Sequence, residues 1–196
     1  MIIKTLPIGE YDSNIYVLMD EKSKELALID CGAEYYRIKS SIDELGGNLK
    51  YILLTHGHND HTLGVKSVKK VCDCICVISE KEKKSLGNFN FMNQIPVDEY
   101  VKDGDILKLG SLEISVIETP GHTLGGVCYL VSDALFSGDT LFKRSVGRWD
   151  LQGGDQDTLL KSIREKLFTL NDDIKVYPGH EDSTTIGYEK KFNFYA

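Results

Sequence analysis

Apolar residues in this chain come in short runs divided by polar turns, and the spacing within each run predicts its element. NIYVLMD and ELALID are two apolar segments joined across residues 21–24, the pattern of a hairpin. The spacing then changes. In EYYRIKSSIDELGG, Tyr35, Ile38, Ile42 and Leu45 recur at three and four residues and Gly46 with Gly47 supplies a stop, which predicts a helix. YILLTH is short and apolar, as a buried strand should be, and TLGVKSVKKV predicts a short helix. KVCDCICVIS reads as a strand with Cys72, Cys74 and Cys76 on one face. Their spacing of about 6.6 Å along a strand is too wide for one tetrahedral ion, so they are expected to be buried thiols.

KSLGNFNFMNQIPVDEY has no clear period and is expected to be an irregular connection whose aromatics tuck into the body. DGDILKLGSLEISVIETPGHT combines turn chemistry with alternating apolar residues, which predicts antiparallel strands, and GGVCYLV and ALFSGD continue the series. A helix over DTLLKSIREKLFTL presents Leu159, Leu160, Ile163 and Leu167; DIKVYPGHE is a further strand, and the aromatics of GYEKKFNFYA are expected to pack back onto the body. Many strands with few, widely separated helices do not suit a βαβ repeat. They suit paired sheets covered by helices. The 196 residues carry no linker or composition break, so a single domain over residues 1–196 is expected.

The net charge of −7 is spread along the chain, with no basic stripe to neutralise nucleic acid or an anionic membrane, so a small molecule is the expected partner. No segment approaches the roughly 20 apolar residues of a membrane span, and no basic-then-apolar leader opens the sequence; a cytoplasmic protein is expected. Five cysteines form no paired framework, which fits a reducing compartment, with Cys31 and Cys128 as packing residues. Oligomeric state is not encoded in any of these features.

All five histidines fall after predicted strands or in Gly-rich loops. His56, His58, Asp60 and His61 occur in THGHNDH, followed by His122 in TPGHT, Asp139 in SGDT and His180 in YPGHE. His56 and His58 can bend toward one ion from a strand exit, while Asp60 and His61 follow closely enough to face a neighbouring one. Two such ions need a bridging anion, and the carboxylate of Asp139 is the candidate. Gly121, Gly138 and Gly179 stand before distant ligands, where tight turns are expected. Nitrogen and carboxylate donors suit two divalent transition-metal ions, zinc first, with iron or manganese also compatible.

THGHNDH, TPGHT, SGDTLF and YPGHE in this order resemble the metallo-β-lactamase superfamily, and GDTLFKRSVGRWDLQGGD through PGHEDSTTIGYEK resembles its glyoxalase II branch. The resemblance covers essentially the whole chain and implies an α/β fold, a four-layered αβ/βα sandwich with its site at one edge of the sheets. It implies that His56, His58 and His122 hold one ion and Asp60, His61 and His180 the other, with Asp139 touching both. Arg148 in VGRWD resembles a basic residue that approaches the glutathione moiety, while Trp149 and Asp150 read as loop packing and capping. Full-length glyoxalase II continues into a helical domain that helps hold glutathione; the sequence here ends at Ala196, as in small bacterial relatives without that domain.

The expected chemistry is hydrolysis of a thioester, S-lactoylglutathione or another hydroxyacyl thioester, by a water bridging the two ions and acidified by them. A thiolate leaves readily, so no separate acid is needed; Asp60 serves as ligand and water-orienter. Asp30, Thr55 and Thr123 are candidates for fixing the ligand rings. The alternatives are a persulfide dioxygenase with one iron on His56, His122 and Asp139, a lactonase or other metallohydrolase, and, least favoured, a non-catalytic metal-binding protein.

Overall fold

The structure, a computed structural model, describes residues 1–82 and 95–196. Strand β1 (Ile2–Pro7), for which the pattern gave no expectation, pairs antiparallel with β2 (Asn14–Met19), and β2 pairs with β3 (Glu25–Ile29) as the hairpin reading predicts. Helix α1 (Tyr35–Leu45) ends where Gly46 takes a left-handed φ of 63°, the stop foreseen from the Gly pair. Strand β4 (Asn48–Leu53) lies parallel to β3, the short helices α2 (Asn59–Thr62) and α3 (Val65–Lys69) follow, and β5 (Ile75–Ser79) and β6 (Glu99–Val101) continue the parallel part of the sheet.

The second sheet is a meander of β7 (Ile106–Leu109), β8 (Leu112–Glu118), β9 (Val127–Val131) and β10 (Ala134–Gly138). It is extended by β13 (Lys175–Pro178), parallel to β10, and β14 (Thr184–Thr185). Between them lie a small ribbon of β11 (Leu141–Phe142) and β12 (Ser145–Val146), then helix α4 (Gln156–Ser162), capped by Asp155 and continued by one wide turn over Ile163–Leu167. Helix α5 (Ile186–Phe192) follows β14.

Alternation along the strands explains the layers. Ile15, Val17, Leu26 and Leu28 face α1 and α3, where Ile38, Ile42, Val65 and Val68 cover them. Their neighbours Tyr16, Leu18, Ala27 and Ile29 point the other way, onto Val116, Tyr129 and Phe136 of the second sheet. Cys128 and Leu135 leave the opposite face of that sheet to meet Leu159, Ile163, Leu167 and Ile186. Strands buried on both faces read as continuous apolar runs, and the result is helix, sheet, sheet, helix. The α/β sandwich expected from the family resemblance is the observed architecture.

Three expectations need correction. β5 begins at Ile75, so Cys72 and Cys74 precede it in the turn that closes α3, where the Cys72 N–H donates to the Val68 carbonyl (2.9 Å); only Cys76 lies on the strand. The C-terminal aromatics pack back only in part: Tyr188 is half-buried and Tyr195 meets Trp149 edge-on (6.0 Å), while Phe192 and Phe194 are 51% and 78% exposed. The cap of the next helix is Asp155, and Asp150 pairs with Arg148 instead. Of the expected irregular connection, residues 84–100, residues 84–94 lie outside the described residues; within the rest, Ile95 and Val97 pack on the first core and Glu99 and Tyr100 belong to β6. Among the described residues no helix is long and apolar enough to cross a membrane.

Candidate metal centre

Strands β3 and β4 are parallel, as are β10 and β13, and β8 runs the same way as β10 because each is antiparallel to β9. Their C-terminal ends therefore open on one edge, the usual place for a site in an open α/β sheet. Asp30 follows β3, Thr55 and His56 follow β4, His122 follows β8, Asp139 follows β10 and His180 follows β13. Asp60 and His61 come from the single turn of α2.

Ligand-type atoms gather there in three overlapping groups: His56, His58 and His122; His56, His61 and Asp139; and Asp60, His61 and His180, each within 4.8 Å. Asp139 faces both sides. Its Oδ1 is 3.4 Å from His61 Nε2, and its Oδ2 is 3.6 Å from His122 Nε2 and 3.7 Å from His180 Nε2. Asp60 Oδ2 stands 3.2 Å from His180 Nε2 and 3.3 Å from His61 Nε2. Two donors about 2.1 Å from one tetrahedral ion are about 3.4 Å apart, the scale of these separations.

The rings are aimed by their far nitrogens. His61 Nδ1 donates to Asp30 Oδ2 (2.8 Å), and His56 Nδ1 donates to Thr55 Oγ1 (3.0 Å), whose own hydroxyl donates to Asp30 (2.9 Å). Both Nε2 atoms then point inward without a hydrogen-bond partner. Among the described residues, the buried side-chain N and O atoms with no hydrogen-bond partner are His56 Nε2, His61 Nε2 and Asp139 Oδ1, all three in this cluster. Unpartnered ligand-type atoms converging on one point are costly when nothing binds them and fit divalent metals. Asp30 has a left-handed φ of 59°, a strain of about 1–2 kcal/mol for a non-glycine residue, which its hydrogen bonds to Thr55 and His61 offset.

Protonation divides the cluster. Burial, with repulsion from the other imidazoles, pushes His56 well below the ordinary histidine range, and burial and His122 bring His58 down to about 4. For His61 burial acts in the same direction, but the carboxylates of Asp139 and Asp30 outweigh it and hold the pKa high. His180 is likewise raised against its burial by Asp60 and Asp139. Asp60 and Asp139 are lowered despite burial by the histidines around them.

Local backbone makes room. Gly121 and Gly138 have φ of 133° and 49°, the turns expected there. Gly179 is not in a left-handed conformation; a Cβ on it would lie 2.2 Å from Asp139 Oδ1, so it is the close approach of His180's loop that requires glycine.

Thr55 and Asp30 thus touch ligand rings, whereas Thr123 does not: its hydroxyl donates to Glu82 Oε2 (2.8 Å). The partner of His122 Nδ1 is the carbonyl of Arg148 (2.6 Å). The Arg148 side chain lines a cavity of about 610 Å³ that opens on the cluster, with Tyr11, Phe142, Val146 and Leu151 as its apolar wall. There its guanidinium donates to both oxygens of Asp150 (2.8 and 2.9 Å).

Three supporting residues carried no sequence signal. Ser13 donates to the Asp60 carbonyl (2.6 Å), and Asn14 and Tyr16 donate to the Pro178 carbonyl (3.1 and 2.6 Å), fixing the loop of His180. Asn14 and Tyr16 belong to an ordinary apolar strand run, and only the closed fold shows that this strand passes beneath the loop.

The family model of the metallo-beta-lactamase superfamily matches residues 8–180. Hydroxyacylglutathione hydrolase GloC of Haemophilus influenzae is 36% identical over 98% of this chain and 97% of its own length. Among solved structures, ETHE1 from Myxococcus xanthus superposes with a TM-score of 0.85 at 30% identity, covering 99% of this chain and 84% of that one. TTHA1623 in a di-iron-bound form superposes at 0.84 with 28% identity and full coverage of both chains. With the histidine and aspartate cluster at the sheet edge and the two-sheet sandwich beneath it, the chain belongs to the metallo-beta-lactamase superfamily.

Proposed function

We propose that the chain is a metal-dependent hydrolase that cleaves a thioester, S-lactoylglutathione or another hydroxyacyl thioester. The observation that carries the reading is the convergence of three buried, unpartnered atoms of His56, His61 and Asp139 beside His58, Asp60, His122 and His180, which with Asp139 line an open cavity. His56, His58 and His122 would hold one divalent transition-metal ion, zinc first, and Asp60, His61 and His180 a second, with Asp139 shared. Such ions supply Lewis acidity and a water acidified toward neutral pH. Likeness to GloC supports the substrate class.

The chain's own residues supply the rest. Asp60 accepts from the water and orients it. Thr55, Asp30 and the Arg148 carbonyl keep His56, His61 and His122 in the tautomers that present Nε2 inward. Phe142, Val146 and Leu151 form an apolar wall for the acyl or thiol part, and the Arg148 guanidinium at the mouth meets a distal carboxylate. Outside the ligand set no histidine lines the cavity, which suits a thiolate that leaves without a general acid.

The likeness to ETHE1 supports a second reading, a persulfide dioxygenase with one iron on His56, His122 and Asp139. Elemental analysis of protein purified without added metal, with thioester, lactone and persulfide assays on the same sample, separates the two. Two ions and thioester cleavage abolished by chelation are expected; oxygen-dependent sulfite formation without thioester cleavage overturns the proposal.

A further inference from the structure

Glu82 stands in the charged run EKEKK, whose composition is that of a solvated stretch. Its neighbours Glu80 and Lys81 are exposed, yet Glu82 itself is fully buried. It follows β5 by three residues, and β5 is parallel to β4, so Glu82 emerges at the same sheet edge as the metal centre.

Three hydrogen-bond donors to it come from loops that carry proposed ligands. The Gly57 N–H, between His56 and His58, donates to Oε1 (2.9 Å). The Thr123 hydroxyl and the Gly125 N–H, one and three residues after His122, donate to Oε2 (2.8 and 2.9 Å). Gly125 lies so close that a Cβ on it would be 2.0 Å from the Glu82 nitrogen, so this contact is built into the backbone as well.

We infer that Glu82 is a positioning residue that clamps the loop of His56 and His58 to the loop of His122 and thereby sets the histidine-only half of the centre for a divalent cation. The inference rests on reading the cluster as a metal centre. The clamp spans the gap where His58 Nδ1 stands 2.9 Å from His122 Nε2, a separation no covalent link fixes. Each carboxylate oxygen receives a donor, which calls for the ionised form: an O–H on either oxygen would face an N–H or compete with it. Burial raises the pKa of Glu82, and the bonds from Gly57, Thr123 and Gly125 oppose that rise. The other half does not depend on this clamp, because Ser13, Asn14, Tyr16 and Asp30 hold Asp60, His180 and His61.

Glu82→Gln is the informative variant. Whichever way the amide is turned, its NH2 group meets a donor, at Gly57 on one side or at Thr123 and Gly125 on the other. The full-length apoprotein is titrated with Zn²⁺ and with Co²⁺, followed by chelator competition and anomalous scattering from crystals at limiting metal. One of the two ions should bind about 10- to 100-fold more weakly, as for loss of an outer partner of a metal ligand. The other should change by less than about twofold, and the remaining density should lie at Asp60, His61 and His180. Thr123→Val, which keeps the carboxylate and removes one donor, should give a smaller loss at the same ion, and it serves if the first variant does not fold. Unchanged affinity for both ions, or equal loss of both, overturns the inference. Failure of the unmodified protein to bind any ion would instead overturn the metal reading on which it rests.

Discussion

His56 and His58 on one side of the centre, and His61 and His180 on the other, are imidazoles of one compact cluster with opposite electrostatics. The first pair sits among other imidazoles, and burial drives both toward the neutral form, His58 to about 4 although Asp139 and Asp60 pull the other way. The second pair is as tightly enclosed by carboxylates: Asp30 and Asp139 around His61, Asp60 and Asp139 around His180. In the metal-free protein the first pair is shifted toward the neutral imidazole and the second toward the protonated one. The same side chain thus shifts toward the neutral or the protonated form according to whether burial or close carboxylates dominate around it.

Removing the group shared by the halves should have the largest effect. Asp139→Ala deletes the carboxylate that faces His61, His122 and His180, and turnover of a thioester should fall at least about 10²-fold, with metal content reduced. Unchanged turnover at confirmed low metal content would break the metal mechanism itself. Asp30→Asn acts on one half more than the other. It leaves the Thr55 and His61 donors with a poorer acceptor, so the second ion should bind about 10- to 100-fold more weakly while the first is altered less. Equal loss at both would show that Asp30 serves the halves alike through Thr55.

Acidity tests the comparison without mutation. His61 and His180 have raised pKa values, so in the metal-free fold their pairing with the carboxylates is fully present below the ordinary value of 6.5 and is lost as pH rises through the raised values. Metal-free protein should therefore lose thermal stability on going from about pH 6 upward, and a bound ion should restore it. By the same sign, affinity for the second ion should fall as pH is lowered, by about tenfold per pH unit for each proton displaced, more steeply than for the first. Parallel slopes for both ions would remove the distinction between the halves.

The layered fold and the cluster were legible in the sequence for separate reasons. Runs such as NIYVLMD and ELALID are buried on both faces, and it is their short length and the polar turn between them that mark strands of that kind. The histidines were legible because His56, His122 and His180 come off strands whose ends the apolar runs mark, and His58 and His61 share the motif that opens with His56. The cysteine strand was misjudged because alternation in KVCDCICVIS looks the same whether pairing starts at Cys72 or at Ile75, and Asp98, which accepts the Cys76 N–H (2.7 Å), lies far along the chain. Glu82, Asn14 and Tyr16 were illegible for a related reason: their partners are 41, 164 and 162 residues away, and nothing local distinguishes a buried clamp from a solvated acid or a strand residue.

The smallest effect expected concerns Arg148, whose main chain and side chain serve different ends. Its carbonyl orients His122 in the histidine-only half, and that contact survives any substitution that leaves the loop in place. Its guanidinium is exposed and already paired with Asp150, so a substrate carboxylate must take the place of one exposed partner with another, a change worth little in water. Arg148→Met keeps the stem and removes the fork. For a thioester with distal carboxylates, kcat/KM should fall by about tenfold, the low end of the range for one charge-assisted contact. A neutral thioester should lose about twofold or less, and both ions should remain. Asp150→Asn moves the other way, because it frees the guanidinium; the charged substrate should gain a few-fold in kcat/KM and the neutral one should not change. Steady-state kinetics on the two substrates, with metal content measured for each variant, separates the outcomes. Equal loss on both substrates with one ion missing would mean that the side chain, and not only the carbonyl, holds the loop of His122, tying the cavity mouth to the first half of the centre.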